Sequence, residues 1–443
     1  MAVPSSSTKA AEEVTDILPP SRVARNLELH LAAESGDIAT ITSLLNYPAS
    51  FFSSSTINNN NDDDDDRGGV DVWYEDPSSA NWSALHFAAE QGHTQVVKLL
   101  LQNGAIWNAV DANGFTAAQV AHSMNHEYCY RAIFEEGVRQ TFLLNALQGQ
   151  LDSAQEDEDD DNDVETEAQV GPSDRKRPKT NSTSTHGTVQ HTADGHITLK
   201  PSADDIANDT NTYLTTPLRF IPDPLGQVRC LDKDNNMVMA PWETDIMTLS
   251  ASLLCSNQPS NFSILNVGFG LGIIDSIIQQ NYQPGRHVII EAHPDAIAYA
   301  KKLGFDKMQG VEIFEGRWED WIKDSDHEED VGKKAELGTF DAVYWDTYSQ
   351  DYNDIKSFFD CLPNILNGSQ SRFSFFHGLG ATNQFYYDVY TRISELDLRE
   401  IGFTTQWHTM IPKIKEEEWQ GVKQRYWQLD RYYCPLAQLD IWE

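Results

Sequence analysis

The stretch SILNVGFGLGIIDSII, residues 263–278, constrains the chain more than any other. An apolar run enters it, Gly268, Gly270 and Gly272 interrupt it at two-residue spacing, and a helix-like pattern leaves it. A strand that stops at a glycine turn and resumes as a helix is the building unit of an α/β sheet. The residues beyond repeat the alternation. GRHVIIEAHP, VEIFEGRW, TFDAVYWDTYS and SRFSFFHGLG read as strands, and DAIAYAKKLG and DIKSFFDCLPNIL as helices. Strands rich in Val, Ile and Phe that alternate with helices predict a mostly parallel, doubly wound sheet. EIGFTTQWHTMIP and QRYWQLDRYYCPLAQLDIW read as two closing strands, one of them antiparallel. Residues 196–443 are therefore expected to form one α/β domain.

The glycine spacing is GxGxG, whereas the turn that closes around a pyrophosphate is GxGxxG. Glycine is required because a side chain would block a ligand or demand a costly positive φ. Nineteen residues beyond Gly272, at the end of the next strand, stands Glu291. A carboxylate there can accept both hydroxyls of a ribose, which suits an adenosine ligand without phosphates, and S-adenosylmethionine is one. A nicotinamide dinucleotide is the competing reading, since its fold also places an acid about 20 residues past the turn. The glycine spacing favours the methyl donor.

Upstream, LHLAAESGD from Leu29 and LHFAAEQGH from Leu85 resemble each other, and FTAAQVA from Phe115 realigns with WSALHFA from Trp82 at an offset of 33. That period and wording resemble ankyrin repeats, each a helix pair plus a turn. The repeats are expected over 22–148, with a low-complexity insertion at about 53–69 that loops out disordered. Ala88 and Ala89 are small enough for close helix packing, and His86 and His93 are expected to cap or hydrogen-bond within the stack. Such stacks bind proteins, so partner recruitment is the function expected of this region. Residues 149–195, beginning near QEDEDDDNDVETEAQ, are expected to be a solvated acidic linker, and Arg175–Lys179 in it is a candidate nuclear-import signal.

A net charge of -36, from 32 basic and 68 acidic residues, disfavours nucleic acid and anionic membranes and favours a basic protein partner. The five cysteines form no CxxC pair, which fits a reducing compartment. No apolar run approaches the roughly 20 residues that span a bilayer, so a cytoplasmic and nuclear location is expected, with no membrane partner.

PWETDIM (Pro241–Met247), NVGFGLGIID, IIEAHPD, GRWEDW (Gly316–Trp321) and YWDTYSQDY together resemble guanidinoacetate methyltransferase over most of residues 210–443. With the ankyrin-like N-terminus, the whole chain resembles the fungal protein arginine N-methyltransferase 2 family, type IV enzymes that methylate the internal δ (N5) nitrogen of arginine in proteins. The resemblance implies a Rossmann-like seven-stranded S-adenosylmethionine-dependent domain and a ribosomal protein as substrate. It puts Tyr213 and Met247 at the methionine and sulfonium, and wraps Phe269, Gly270, Leu271, Gly272, Ile273 and Ile274 around the donor. Glu291, Ala292 and His293 are implied at the ribose, Trp318 and Glu319 at the adenine, and Asp346 at the active-site end of the fourth strand. Asn266 departs from the pattern, because many methyltransferases carry an acid two residues before the first glycine.

An arginine guanidinium is a poor nucleophile, since its lone pairs are delocalised and its pKa exceeds 12. Attack needs one nitrogen aimed in line, about 3 Å from the methyl, with its proton lost as the bond forms. Two carboxylates suffice: one clamps the outer nitrogens and the other accepts the proton. Glu243 and Asp346 are the candidates, with His377 as another possible proton acceptor. Clamped outer nitrogens would leave the inner one facing the methyl. Each acid has a plainer use: Glu243 could cap the helix that begins at TDIM, and Asp346 could be a turn acid. Trp318 and Trp321 lie at helical spacing, and one of them belongs to the core. No metal-ligand pattern occurs. Small-molecule guanidino methylation and a non-catalytic ankyrin scaffold stay open as alternatives.

Overall fold

The computed structural model describes residues 20–46, 69–156, 188–191, 197–200, 210–323 and 337–440. The expected insertion up to residue 68, residues 157–187 of the expected linker and the Arg175–Lys179 cluster within it lie outside them. Two compact units divide the chain at Leu143 and Leu144.

The first unit is three helix pairs. They are α1 (Pro20–Ser35) with α2 (Ile38–Leu45), α3 (Ala84–Glu90) with α4 (Thr94–Gln102), and α5 (Ala117–Ser123) with α6 (Glu127–Glu156). Ala33, Ala88, Ala89, Ala118 and Ala121 are wholly buried, and their small side chains let α1, α3 and α5 stack. Two short strands, β1 (Glu75–Asp76) and β2 (Trp82–Ser83), pair antiparallel ahead of α3. The histidines tie one repeat to the next. His86 accepts the Ser83 amide at Nδ1 (3.3 Å) and meets the Phe115 carbonyl at Nε2 (3.2 Å), while His93 Nε2 meets the Glu34 carbonyl at 3.0 Å. Burial holds the His86 pKa down, so the ring is a neutral one-donor, one-acceptor staple.

Helix α6 runs to Glu156, past residue 149 where the sequence placed the start of the linker. The residues NALQGQLDSAQE are mostly good helix formers, and an acidic composition forbids a core without forbidding a helix. An antiparallel pair, β3 (Thr188–His191) and β4 (Ile197–Lys200), straddles the expected boundary at 195.

The second unit opens with α7 (Thr210–Thr215) and a small antiparallel sheet: β5 (Arg219–Pro222), β6 (Val228–Leu231) and β7 (Met237–Met239). Asx turns join these strands. The Asp223 carboxylate accepts the amides of Leu225 and Gln227, and Asp232 accepts those of Asp234 and Asn236. Next come α8 (Thr244–Cys255), β8 (Ser263–Val267), α9 (Ile273–Asn281), β9 (Arg286–Glu291), α10 (Pro294–Leu303), β10 (Val311–Glu315), α11 (Trp318–Ile322) and β11 (Ala342–Trp345). The unit closes with α12 (Tyr352–Ile365), β12 (Arg372–Phe375), α13 (Gln384–Glu400), β13 (Phe403–Met410) and β14 (Tyr432–Leu439).

The large sheet has seven strands in the order β10-β9-β8-β11-β12-β14-β13. The first five are mutually parallel, and β14 runs antiparallel to both β12 and β13. This is the doubly wound architecture expected from the alternation of strands and helices. Residues of β8, β9 and β11 are buried almost without exception, as strands covered on both faces must be. Phe358 and Phe359 of α12 pack on Phe373 of β12, while Leu254 of α8 and Ile274 and Ile278 of α9 share a core with Ile264. The chain runs outward from β8 to β9 and β10, then returns to place β11 on the other side of β8. That reversal opens a crevice at the carboxyl ends of β8 and β11. Among the described residues no helix is long and apolar enough to cross a membrane.

Replacing His86 by Ala should leave the Ser83 amide unpaired and strip the Phe115 carbonyl of one of its two donors, the Asp111 amide staying in place, at a cost of about 1–3 kcal/mol. Hydrogen exchange by mass spectrometry should then show faster exchange across Ala84–Glu90, with the second unit unchanged.

Candidate active site

The glycine turn fills the crevice at the end of β8. Gly268 has φ +91°, its amide donates to the Ile290 carbonyl at 2.8 Å, and a Cβ placed on it would lie 1.9 Å from the Asp346 carbonyl oxygen. No other residue fits between the ends of β8 and β11. Gly272, at φ +66°, opens α9, and a Cβ there would meet the Phe269 ring at 2.3 Å. The turn is held from beneath as well. Asn266 Nδ2 donates to the Gly268 carbonyl (2.8 Å) and to Asp275 (2.9 Å), and Asp275 meets His287 Nε2 at 3.0 Å. Gln279 completes the chain at His287 Nδ1, 2.9 Å away. Asn266 therefore braces the loop, and its nitrogen faces away from the cavity.

Glu291 ends β9 facing the turn. Its Oε2 accepts the Phe269 amide at 2.7 Å, and its Oε1 accepts the His293 amide at 2.7 Å. The Gly270 amide adds a longer bond to Oε2 at 3.4 Å, so the carboxylate is fixed in orientation, and Oε1 keeps a lone pair for a diol hydroxyl.

One cavity gathers most of the residues expected at the site. Tyr213, Glu243, Gly270, Glu291, Ala292, Trp318, Glu319 and Asp346 all line it. The others stand behind its wall. Met247 is wholly buried and accepts the Tyr344 hydroxyl at 3.3 Å. The Phe269 ring packs on Phe305, and Leu271, Ile273 and Ile274 turn into the core under α9. Gly272 contributes the helix start. His293 caps α10, accepting the Asp295 amide at Nδ1 and meeting the Thr216 carbonyl at Nε2. Trp318 is 3% exposed and packs edge-on on Phe358 while it lines the cavity, whereas Trp321 is half-buried against Phe314 and does not line it. His377 is no rim base: it lies in the core beside Tyr387 and Trp407, bonds Thr391 Oγ1 at 2.7 Å, and burial pushes its pKa down to about 3. Sequence reasoning missed Met239, Tyr348, Gln350, Phe376, Gln424 and Tyr426, which also line the cavity. Met239, in β7, and the last two, between β13 and β14, come from segments that no motif marks.

Glu243 is 3% exposed, and its side chain does not cap α8. It folds back instead, so that Oε1 accepts the Ala240 amide (3.1 Å) and the Tyr426 hydroxyl. Burial, and then the nearby Asp346, push its pKa up to about 8. Asp346 sits on the last turn of chain after β11, and no donor reaches its buried Oδ2. Burial, followed by Asp275 and Glu291, raises its pKa to about 7. Two acids that hold their protons near neutrality, one with an unpartnered oxygen, are arranged to receive a cation. Trp318 Nε1 and Glu319 Oε2 of the same cavity lining are likewise buried without partners. Among the described residues no group of three His, Cys, Asp or Glu could hold a metal ion.

Comparison with known proteins agrees with both units. The family of ankyrin repeats, in three copies, matches residues 29–142. A protein arginine N-methyltransferase 2 from Cryptococcus neoformans is 34% identical over 388 residues, covering 84% of this chain and 90% of the relative. One of the same name from Aspergillus oryzae is 39% identical over 351 residues, covering 79% of each. Among solved structures, spermidine synthase from Thermotoga maritima aligns with a TM-score of 0.37 at 13% identity, over 51% of this chain and 69% of that one.

Two outcomes follow from this geometry. Gly268→Ala should force Asp346 away from β8 and place a side chain at positive φ, so the melting temperature should fall and S-adenosylhomocysteine uptake should vanish in calorimetry. The second concerns pH. The folded protein holds protons on Glu243 and Asp346 that the unfolded chain releases near pH 4, so stability is lost as pH rises from about 4 to about 8. Glu243→Gln removes part of that loss. It should match the wild type at pH 4 and melt higher at pH 8.5, by roughly 2–4 °C for each kcal/mol relieved.

Proposed function

The chain belongs to the protein arginine N-methyltransferase 2 family, and we propose that it transfers one methyl group from S-adenosylmethionine to the δ nitrogen of an arginine in a basic protein. The observation that carries this reading is the meeting of Glu243, Asp346 and Glu291 in one cavity. Glu291 supplies the diol-binding acid, and the other two supply the anionic pocket that a guanidinium needs.

The cavity suits the donor chemically. Glu291 has a lone pair left on Oε1, and the unpartnered Trp318 Nε1 and Glu319 Oε2 are buried polar atoms of the kind a nucleoside satisfies. When bound, S-adenosylmethionine supplies an electrophilic methyl on a cationic sulfur. Tyr213 and Met239 close the cavity next to the glycine turn.

At the other end the chain's residues handle charge and protons. An entering guanidinium favours the ionised forms of Glu243 and Asp346, so both release protons as arginine binds. One carboxylate fixes the plane of the guanidinium through its outer nitrogens, and the other takes the proton that the attacking nitrogen sheds. Held by its outer nitrogens, the side chain presents the inner one to the methyl, which is the basis for δ rather than ω methylation. Two intact acids in the cavity weigh against a non-catalytic scaffold. The ankyrin unit weighs against a free metabolite as substrate, because a metabolite needs no docking module. A ribosomal substrate and a cytoplasmic and nuclear setting belong to the same proposal, resting on the family resemblance, the acidic charge and the Arg175–Lys179 cluster.

The test is a labelled-donor assay of the full chain on basic ribosomal proteins and on free guanidinoacetate, with the product fragmented in a mass spectrometer. The expected product is δ-monomethylarginine on protein; ω-methylarginine, or methylation of guanidinoacetate alone, would overturn the reading. Glu243→Gln and Asp346→Asn should each cut turnover by about 10²–10⁴-fold while S-adenosylhomocysteine affinity stays within about threefold.

A further inference from the structure

The connection between β13 and β14, residues 411–431, carries no recognisable motif, yet it supplies part of the cavity wall. It is pinned on both flanks. Arg229 Nη1 donates to the carbonyls of Glu418 (3.1 Å) and Gln420 (2.9 Å), and the Gln428 amide donates to the Ala381 carbonyl at 2.9 Å. Between the pins, Tyr426 lies against Trp242 with ring centroids 5.6 Å apart and meets Trp419 edge-on at 5.3 Å. This packing fixes where the phenol hydroxyl points, and it points at Glu243 Oε1.

A carboxylate oxygen has two lone pairs. On Glu243 Oε1 both are taken, one by the Ala240 amide and one by the Tyr426 hydroxyl, and every hydrogen bond that the described residues give this side chain falls on that oxygen. We propose that Tyr426 is a positioning residue for methyl transfer: it saturates Oε1 and so leaves Oε2 as the one oxygen of Glu243 that meets the substrate. The inference rests on reading the cavity as an arginine-methylating site, and it divides the labour between the two acids. A carboxylate with one oxygen committed cannot form a fork, so the two-bond clamp on the outer nitrogens falls to Asp346. Glu243 becomes the proton acceptor. As the new N–C bond forms, the electron pair of the breaking C–S bond leaves with the sulfur, and the proton shed by the nitrogen moves to Oε2. Charge balances, since two cations enter and one cation, a neutral thioether and a protonated Glu243 result.

The phenol's donation also favours the ionised form of Glu243, against the burial and the acids that oppose it. The ionisable groups facing Glu243 are Asp346 and Tyr344 from β11 and its following turn, and Glu418 and Tyr426 from the 411–431 connection. Removing the hydroxyl therefore moves the titration of Glu243 to higher pH.

Tyr426→Phe keeps the ring packing and tests the hydroxyl alone. Turnover should fall about tenfold with S-adenosylhomocysteine affinity unchanged, and the acid limb of the kcat profile should move up by about one pH unit. In a Glu243→Gln background the same substitution should cost less than about twofold, because its route of action is already gone. An unmoved acid limb, or a full cost in that background, would overturn the proposal. A second arm needs no substrate: the fall of melting temperature with pH should shift to higher pH in Tyr426→Phe, and an unshifted curve would equally sink the inference. Because that arm is blind to what is methylated, a wrong substrate assignment and a wrong role for Tyr426 give different results.

Discussion

The contact between Gly268 and the backbone of Asp346 is the constraint from which the rest of the site follows. β8 and β11 are neighbours in the sheet, with Val267 opposite Trp345, and their ends stay in contact only if the residue after Val267 has no side chain. The same glycine hydrogen-bonds to Ile290 on the opposite side. Three strand ends are thereby locked at one point, and each delivers an element of the chemistry: the turn from β8, Glu291 from β9 and Asp346 from β11. Positioning of this kind is independent of loop flexibility, because sheet hydrogen bonds set the separations.

Two sets of buried polar groups show how structural and functional residues part company. Under the turn, Asn266, Asp275, His287 and Gln279 form a linked chain in which the aspartate and the imidazole are paired. Such a network stiffens what it supports and leaves little bonding capacity for a ligand. In the cavity the balance is reversed. Asp346 keeps an unpartnered oxygen and raises the cost of ionising Glu243, while Asp275 and Glu291 raise that of Asp346. Stability is given up there, and an incoming cation recovers it.

Much of this was legible in the sequence. The strand, turn and helix around residue 268 announce themselves through glycine spacing and apolar period, the five parallel strands fall where Val, Ile and Phe runs place them, and the two closing strands fall within the aromatic-rich stretches read for them. The ankyrin pairs follow from a repeated wording. The small sheet from β5 to β7 was not legible, because its strands are only three or four residues long and its turns rest on aspartates that read as generic polar residues. At the site, the motif residues at strand ends were legible, whereas their orientation was not. Met247, Leu271 and Ile274 sit within the right motifs but face the core, since neighbours in a helix or a tight turn point in different directions. Tyr426 was invisible as a site residue: the sequence reads it as part of the closing strand, which in fact starts at Tyr432, and it meets Glu243 from 183 residues away.

The sheet order has a consequence for synthesis. β14, built from residues 432–439, sits inside the sheet between β12 and β13, and its Tyr432 hydroxyl reaches the His377 amide next to the cavity wall. A chain emerging from the ribosome can lay down five parallel strands and still have an open slot where β14 belongs. The tyrosine that holds Glu243 arrives only just ahead of that strand. The cavity wall that Tyr426 supplies is thus completed only when β14 inserts between β12 and β13.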